Sequence, residues 1–221
     1  MSVRIEVAIC TRNRAQQLRQ TLQSVQQAIA NCHQSCRLIL IDNASTDRTT
    51  EVAREFVAQG LPMELIHEAQ PGHTHARNRA ISASQAELVV WTDDDVVVES
   101  DWLNRYWQAF ETAPSDSFWG SAIVPVFAAT KPIWIDENWD KLSGAFAARD
   151  LGDEAVAFTE NRLPYGANFA VRGDVLRQFQ FDASLGRSDR LILGEDEIEY
   201  LQRYCEQGFT AVGFQIILYN T

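Results

Sequence analysis

The run Leu88-Val89-Val90-Trp91-Thr92 stops abruptly at Asp93-Asp94-Asp95, and this junction constrains the chain more than any other stretch. An apolar, β-branched run without alternation suits a strand in a sheet covered on both faces, where every side chain meets a packed layer. Three adjacent carboxylates directly after it repel one another unless a cation or water relieves them. A divalent metal is the sharper reading of the triplet. The plainer one is a solvated acidic turn entering a helix, since acids also favour helix N-termini. The junction alone does not choose between them.

The preceding residues repeat the pattern of strand and amphipathic helix. Residues 3–9 read as a strand. Across 14–30, Leu18, Leu22, Val25 and Ile29 share one helical face, as a helix packed on a sheet requires. Residues 38–41 form a second apolar run. Asp47 is suited to cap a helix carrying Val52 and Phe56, and 63–67 is a weaker third strand. Pro71-Gly72 breaks the chain before Thr74, the expected N-cap of a helix through Ala80 and Ile81. Short runs alternating with helices predict an α/β fold with a mostly parallel, Rossmann-like sheet flanked by helices. Ser100 is the expected cap of a helix bearing Trp102, Leu103, Tyr106, Trp107 and Phe110. Beyond it the character changes. Residues 118–125 and 165–171 read as strands, but 126–163 has no clear period and reads as an irregular insertion. A helix over 195–207 and a strand over 211–218 complete the expected order. At 221 residues, one domain with an insertion is expected.

A net charge of −11 makes nucleic acid a poor partner, because phosphate backbones are bound by clustered Lys and Arg. A pyrophosphate ligand would meet an acidic protein and need a divalent cation or a few placed Arg residues. Cys10, Cys32, Cys36 and Cys205 are too sparse for a disulfide framework and read as reduced thiols. Cys32-His33-x-x-Cys36 resembles half a zinc site, but no second ligand pair follows at a suitable spacing. No window approaches the ~20 apolar residues of a membrane span, and no secretory leader is visible. The expected location is cytoplasmic, at most peripheral to the inner face of a membrane through a partner.

In a parallel sheet the carboxyl ends of the strands share one edge, and ligands bind there. Thr11-Arg12, Asp42-Asn43, Glu68 and the acid triplet are therefore expected together. Their oxygen donors suit Mg2+ or Mn2+. Gly194-Glu195-Asp196 follows a loop over 186–193 and opens a helix in which Ile198 and Leu201 are expected to face the core. A carboxylate there suits a general base, with helix capping as the alternative. Arg77 and Asn78, near the start of the third helix, suit anionic or polar substrate groups. His73 and His75 read as loop residues, lacking a partner carboxylate nearby in sequence.

Taken together these residues resemble the family-2 glycosyltransferases, which carry the GT-A fold. The resemblance runs in order through Val7-Ala8-Ile9-Cys10-Thr11-Arg12-Asn13, Ile41-Asp42-Asn43-Ala44-Ser45-Thr46-Asp47, Ala76-Arg77-Asn78, Asp93-Asp94-Asp95, Gly166-Ala167-Asn168 and Gly194-Glu195-Asp196. It implies a nucleotide-binding half over 1–98 and an acceptor and catalytic half over 99–221. Thr11, Arg12, Asp42 and Arg77 would cradle the donor nucleotide, Asp42 meeting a base that is commonly uracil. Asp93 and Asp94 would lie against the donor, with Asp95 and Asp93 on an Mn2+ or Mg2+ ion. Gly166, Ala167, Asn168 and Glu195 would line the sugar and acceptor pocket, and Asp196 would be the catalytic base of an inverting transfer. The implied partners are a nucleotide-sugar donor and a saccharide or lipid-linked acceptor. Trp119, Trp134 and Trp139 offer stacking faces for an acceptor sugar, with burial in the core as the alternative for at least one. Family members usually continue past the last strand, often supplying a His. Here no His follows His75, so a metal ligand from that segment is expected to be lacking. A sugar-phosphate nucleotidyltransferase would want a Gly-rich loop after the first strand, which 10–14 does not provide. A non-catalytic nucleotide-sugar binding module is the other alternative.

Overall fold

The computed structural model describes residues 3–115, 117–127, 130–151, 156–158, 163–185 and 196–220. The first half runs β1 (Ile5–Thr11), α1 (Ala15–Asn31), β2 (Cys36–Asp42), α2 (Thr49–Ala58), β3 (Met63–His67), α3 (His73–Ala83) and β4 (Leu88–Thr92). There follow β5 (Val96–Val98), α4 (Trp102–Thr112), β6 (Ser117–Pro125), the short helices α5 (Ile133–Glu137) and α6 (Trp139–Leu142), and a 3-10 turn, Ser143–Phe146. The chain continues through β7 (Val156–Ala157), β8 (Asn168–Arg172), α7 (Gly173–Leu176), α8 (Asp196–Glu206) and β9 (Thr210–Asn220).

The described strands form one mixed sheet in the order β3-β2-β1-β4-β8-β6-β9-β5, with β7 paired to β9. β3, β2, β1 and β4 are mutually parallel and are linked in chain order, β1 to β4, by α1, α2 and α3. Their register sets Thr11 opposite Asp42, and Asp42 opposite His67, so the polar strand ends share one edge. β8 runs antiparallel to β4 and β6, which brings the second half of the chain against the end of β4.

Both faces are covered, as the unbroken apolar run of β4 demands. Leu88 and Val90 join Leu18, Leu22, Val25, Phe56, Trp102 and Leu103 on one face, under α1, α2 and α4. Val89 and Trp91 join Ala76, Ile81, Leu176, Tyr200, Leu201 and Tyr204 on the other, under α3, α7 and α8. Asn168 is fully buried between layers. Its Oδ1 accepts from Trp102 Nε1 at 3.2 Å and Tyr106 Oη at 2.7 Å, while its Nδ2 donates to Ala122 O at 2.9 Å. An amide with three such partners is a satisfied core hub.

Several sequence expectations shift. α3 begins one residue before Thr74, at His73. Its N-cap is Gly72, whose φ of 140° a side chain would strain. Asp101 replaces Ser100 as the N-cap of α4. Ile198 is 45% exposed, because it lies about a third of a turn round α8 from the buried face of Tyr200, Leu201 and Tyr204. The 165–171 run becomes a strand only from Asn168. β5 has no independent sequence signature. It exists through pairing with β9 and through Thr21 Oγ1 and Ser24 Oγ on α1, which accept from the amides of Val96 and Val98. The expected insertion at 126–163 contains α5, α6 and an aromatic cluster in which the Trp139 and Phe146 rings stack at 5.9 Å.

Candidate functional site

Two asparagines knit the loops after the first strands into a rim. Asn13, at a φ of 55°, accepts with Oδ1 from the amides of Thr46 and Asp47 at 2.7 and 3.3 Å. Asn43 donates with Nδ2 to Gln70 O at 2.7 Å and accepts with Oδ1 from Gly72 N at 2.8 Å. Asp42 is 2% exposed. It accepts from Ser45 N at 3.0 Å and from the Thr50 hydroxyl, and so braces its own loop. The N-cap of α2 is Arg48 and not Asp47 as expected; Asp47, one residue earlier, still braces the helix start, its Oδ1 accepting from Thr49 N at 2.9 Å.

The acid triplet follows β4 directly. Thr11 Oγ1 donates to Asp94 Oδ2 at 2.6 Å, and Arg14 Nη1 lies 3.4 Å from Asp95 Oδ2. Burial pushes Asp93 up to about 7, Glu197 adding to the rise and Arg77 opposing it. Burial also raises Asp94 to about 6, against the Thr11 hydrogen bond. A carboxyl whose folded pKa is raised retains a proton that the unfolded chain has released. The stability tied to Asp93 and Asp94 is therefore lost as pH rises from about 4 to about 7. The melting temperature of the metal-free protein is expected to fall between pH 5 and pH 8, and Asp93→Asn to flatten that slope. An unchanged slope in the variant would show that the dependence arises elsewhere.

Opposite the triplet, α3 and α8 meet through Arg77, which is 2% exposed. Its Nη1 donates to Asp196 Oδ2 at 3.1 Å and its Nη2 to Glu197 Oε1, while the guanidinium lies 4.9 Å from the Phe181 ring centroid. Burial opposes the charge, yet Glu197, Asp196 and Asp93 outweigh it and hold the guanidinium firmly protonated. Gly166 makes room for this pair, since a Cβ there would lie 2.2 Å from Glu197 Oε1 and 2.6 Å from Arg77 Nη2. His73 Nδ1 stands 3.7 Å from Asp196 Oδ2. The ligand atoms of His73, Asp196 and Glu197 all lie within 4.8 Å of one another.

These groups border a cleft of about 1460 Å3 that includes His73, Asp93, Asp95, Gly166, Ala167 and Glu197 in its walls. Trp139 and Phe146 line its other side. Thus the triplet and the first turn of α8, a hundred residues apart, share one cavity. Asp196 is 1% exposed and sits behind Glu197 and His73. Three sequence expectations are redrawn by this geometry. Arg77 is engaged by carboxylates of α8 instead of facing a nucleotide edge, Asn168 is core and not pocket wall, and His73 belongs to the site. Asn78 bonds the backbone of Phe181 at 2.9 and 2.7 Å. Trp119 is core, Trp134 is exposed and Trp139 lines the cleft. Arg12 lies on the rim after β1, and Gly194 and Glu195 lie outside the described residues. Glu197 was legible as a third acid in the helix start. His73 had no local signal, because its carboxylate lies 123 residues away in sequence.

The model of glycosyl transferase family 2 matches residues 6–179. The chain belongs to that family. Among curated relatives, a glucosyl-dolichyl phosphate glucuronosyltransferase of Haloferax volcanii is 23% identical over 188 residues, 84% of this chain and 58% of its own length. Glycosyltransferase GlyG of Streptococcus pneumoniae is 25% identical over 96 residues, 43% of this chain and 32% of its own. Among solved structures, residues 1–349 of TarS from S. aureus superpose with a TM-score of 0.70 at 14% identity, covering 99% of this chain and 60% of that one. Mannosyltransferase PcManGT from Pyrobaculum calidifontis, solved with GDP-Man and Mn2+, gives 0.66 at 20% identity, covering 98% and 57%. The fold is thus that of the GT-A glycosyltransferases, and the chain matches about 60% of the length of the Haloferax relative and the TarS fragment and 32% of GlyG. Among the described residues no helix is long and apolar enough to cross a membrane.

Proposed function

We propose that this chain is the nucleotide-sugar and catalytic core of an inverting glycosyltransferase, taking its sugar from a UDP-sugar and giving it to a saccharide or lipid-linked acceptor. The observation that carries this reading is the meeting of the β4 acids and the α8 acids across one cleft. The family match supports it, as do the TarS complexes with UDP and UDP-GlcNAc. The dolichyl phosphate in the name of the Haloferax relative favours a lipid-linked acceptor.

In this reading Thr11, Arg12 and Asp42 hold the nucleotide against the rim that Asn13 and Asn43 brace. Asp93, Asp94 and Asp95 are hard oxygen donors. Burial and mutual repulsion raise the first two, so they fit an Mn2+ or Mg2+ ion, with Asp93 and Asp95 as ligands. Such an ion supplies positive charge against a diphosphate. Arg77 already offsets one of the two α8 charges and holds an oxygen of each carboxylate, which disfavours a second cation among His73, Asp196 and Glu197. Asp196, at the head of α8 and screened from the cleft by Glu197 and His73, takes the proton of the acceptor hydroxyl once those side chains move aside. The oxygen then attacks the anomeric carbon opposite the leaving group, and a single displacement inverts that carbon. Gly166 and Ala167 shape the sugar end of the cleft, and Trp139 gives the acceptor a stacking face.

Titration calorimetry with UDP-sugars, in Mn2+ and in chelator, tests the reading. Binding is expected only with Mn2+, and Asp95→Ala should weaken it about tenfold or more, as loss of one charged contact does. Equal affinity with and without the ion would refute the metal assignment. Donor binding without any turnover would favour a nucleotide-sugar binding module instead.

A further inference from the structure

The Cys32-His33-Gln34-Ser35-Cys36 segment joins α1 to β2 at the amino-terminal edge of the sheet, opposite the cleft. Cys36 Sγ donates to Cys32 Sγ at 2.8 Å and lies farther, 3.4 Å, from Gln34 O. The segment is held on both flanks. Arg4 donates from its backbone to Ser35 Oγ at 3.1 Å and from Nη1 to Gln34 Oε1 at 3.0 Å. The amide of His33 donates to Asn104 Oδ1 at 3.0 Å. Both cysteines are reduced and partly exposed, so small reagents reach them. The zinc reading fails here, because among the described residues no third ligand joins the two sulfurs.

We propose that Cys32 and Cys36 are a modification site that closes to a reversible intramolecular disulfide, with a small disulfide such as oxidised glutathione as its co-reactant. Two thiols already in hydrogen-bond contact, on a short segment pinned at both ends, need little movement to bond. The order of attack follows from the hydrogen bond. By donating to Cys32, Cys36 lowers the Cys32 thiol to about 7 and leaves its own raised. Cys32 is therefore the more readily ionised of the two near neutral pH and attacks first. It loses its proton to solvent and attacks one sulfur of the glutathione disulfide, expelling one glutathione thiolate. Cys36 then loses its proton, attacks Cys32 Sγ and expels the second glutathione. Two electrons pass from the protein to the small disulfide, and two glutathione thiols are released. Cys10 does not compete, since burial pushes its thiol up to about 12.

The test incubates the folded chain with oxidised glutathione near pH 7.5, quenches with acid, then unfolds and alkylates. Alkylated cysteines are expected to fall from four to two, with peptide mapping placing the bond between Cys32 and Cys36. Dithiothreitol should restore all four. In Cys36→Ser, glutathione should remain bound at Cys32 as a mixed disulfide, because the resolving thiol is gone. Four alkylated cysteines at every glutathione ratio would overturn the proposal. So would a wild-type chain that keeps glutathione on Cys32, because the geometry would then be unable to close. The site is independent of the glycosyltransferase reading, and oxidation should leave donor affinity unchanged.

Discussion

Asp196→Asn is expected to lower the rate of sugar transfer about 10³-fold, within the range for loss of a general base, while donor affinity stays within about twofold. Asparagine keeps an oxygen that can accept from Arg77 Nη1, so the bond at 3.1 Å and the local packing are retained. What is lost is the capacity to take a proton. Glu197→Gln provides the discriminating comparison, because Glu197 faces the cleft directly while Asp196 sits behind it. If Glu197→Gln abolishes transfer and Asp196→Asn does not, the base is the cleft-facing carboxylate. Single-turnover rates with saturating donor, set beside calorimetric affinities, separate the two outcomes.

Arg77→Met is expected to destabilise the fold by about 3–5 kcal/mol, the usual cost of leaving buried charge without its partner. Asp196 and Glu197 both depend on this one guanidinium, and Asp93 is already held near 7 by burial and by Glu197. Removing the cation raises the carboxyl pKa values in the folded state. Raised carboxyls lose their stabilising protonation as pH increases, so the deficit should be larger at pH 8 than at pH 5. Urea denaturation at the two pH values measures it. A variant as stable as the parent but weak in donor binding would return Arg77 to the nucleotide-cradling role that the family resemblance implies.

The first half was the more legible part of the sequence. Its strands alternate with helices in chain order, so periodicity alone marked 63–67 and 88–92 to the residue, and the strand-end rule gathered Thr11, Asp42 and the acid triplet. The second half was harder because its elements are defined by distant partners. β5 is three valines that become a strand only against β9. Asn168 matched a pocket motif, yet its side chain is spent on Trp102, Tyr106 and Ala122, partners that no local pattern reveals. Arg77 and His73 were visible as residue types, but their roles turn on where α8 docks. Ile198 shows the limit of helical spacing. One apolar residue among acids does not fix which face is buried.

The ion cluster also ties the end of the chain back to its first half. Arg77 and Asp196 are separated by 119 positions, and their pairing closes a long loop around β4 and β8. The four parallel strands are linked through single helices close in sequence, whereas the guanidinium lacks the Asp196 and Glu197 carboxylates until α8 docks. Correct docking of α8 is thereby tied to the same carboxylates to which the proposed chemistry assigns the proton transfer. A misfolded copy that keeps its first half but misplaces α8 should be both inactive and marked for unfolding.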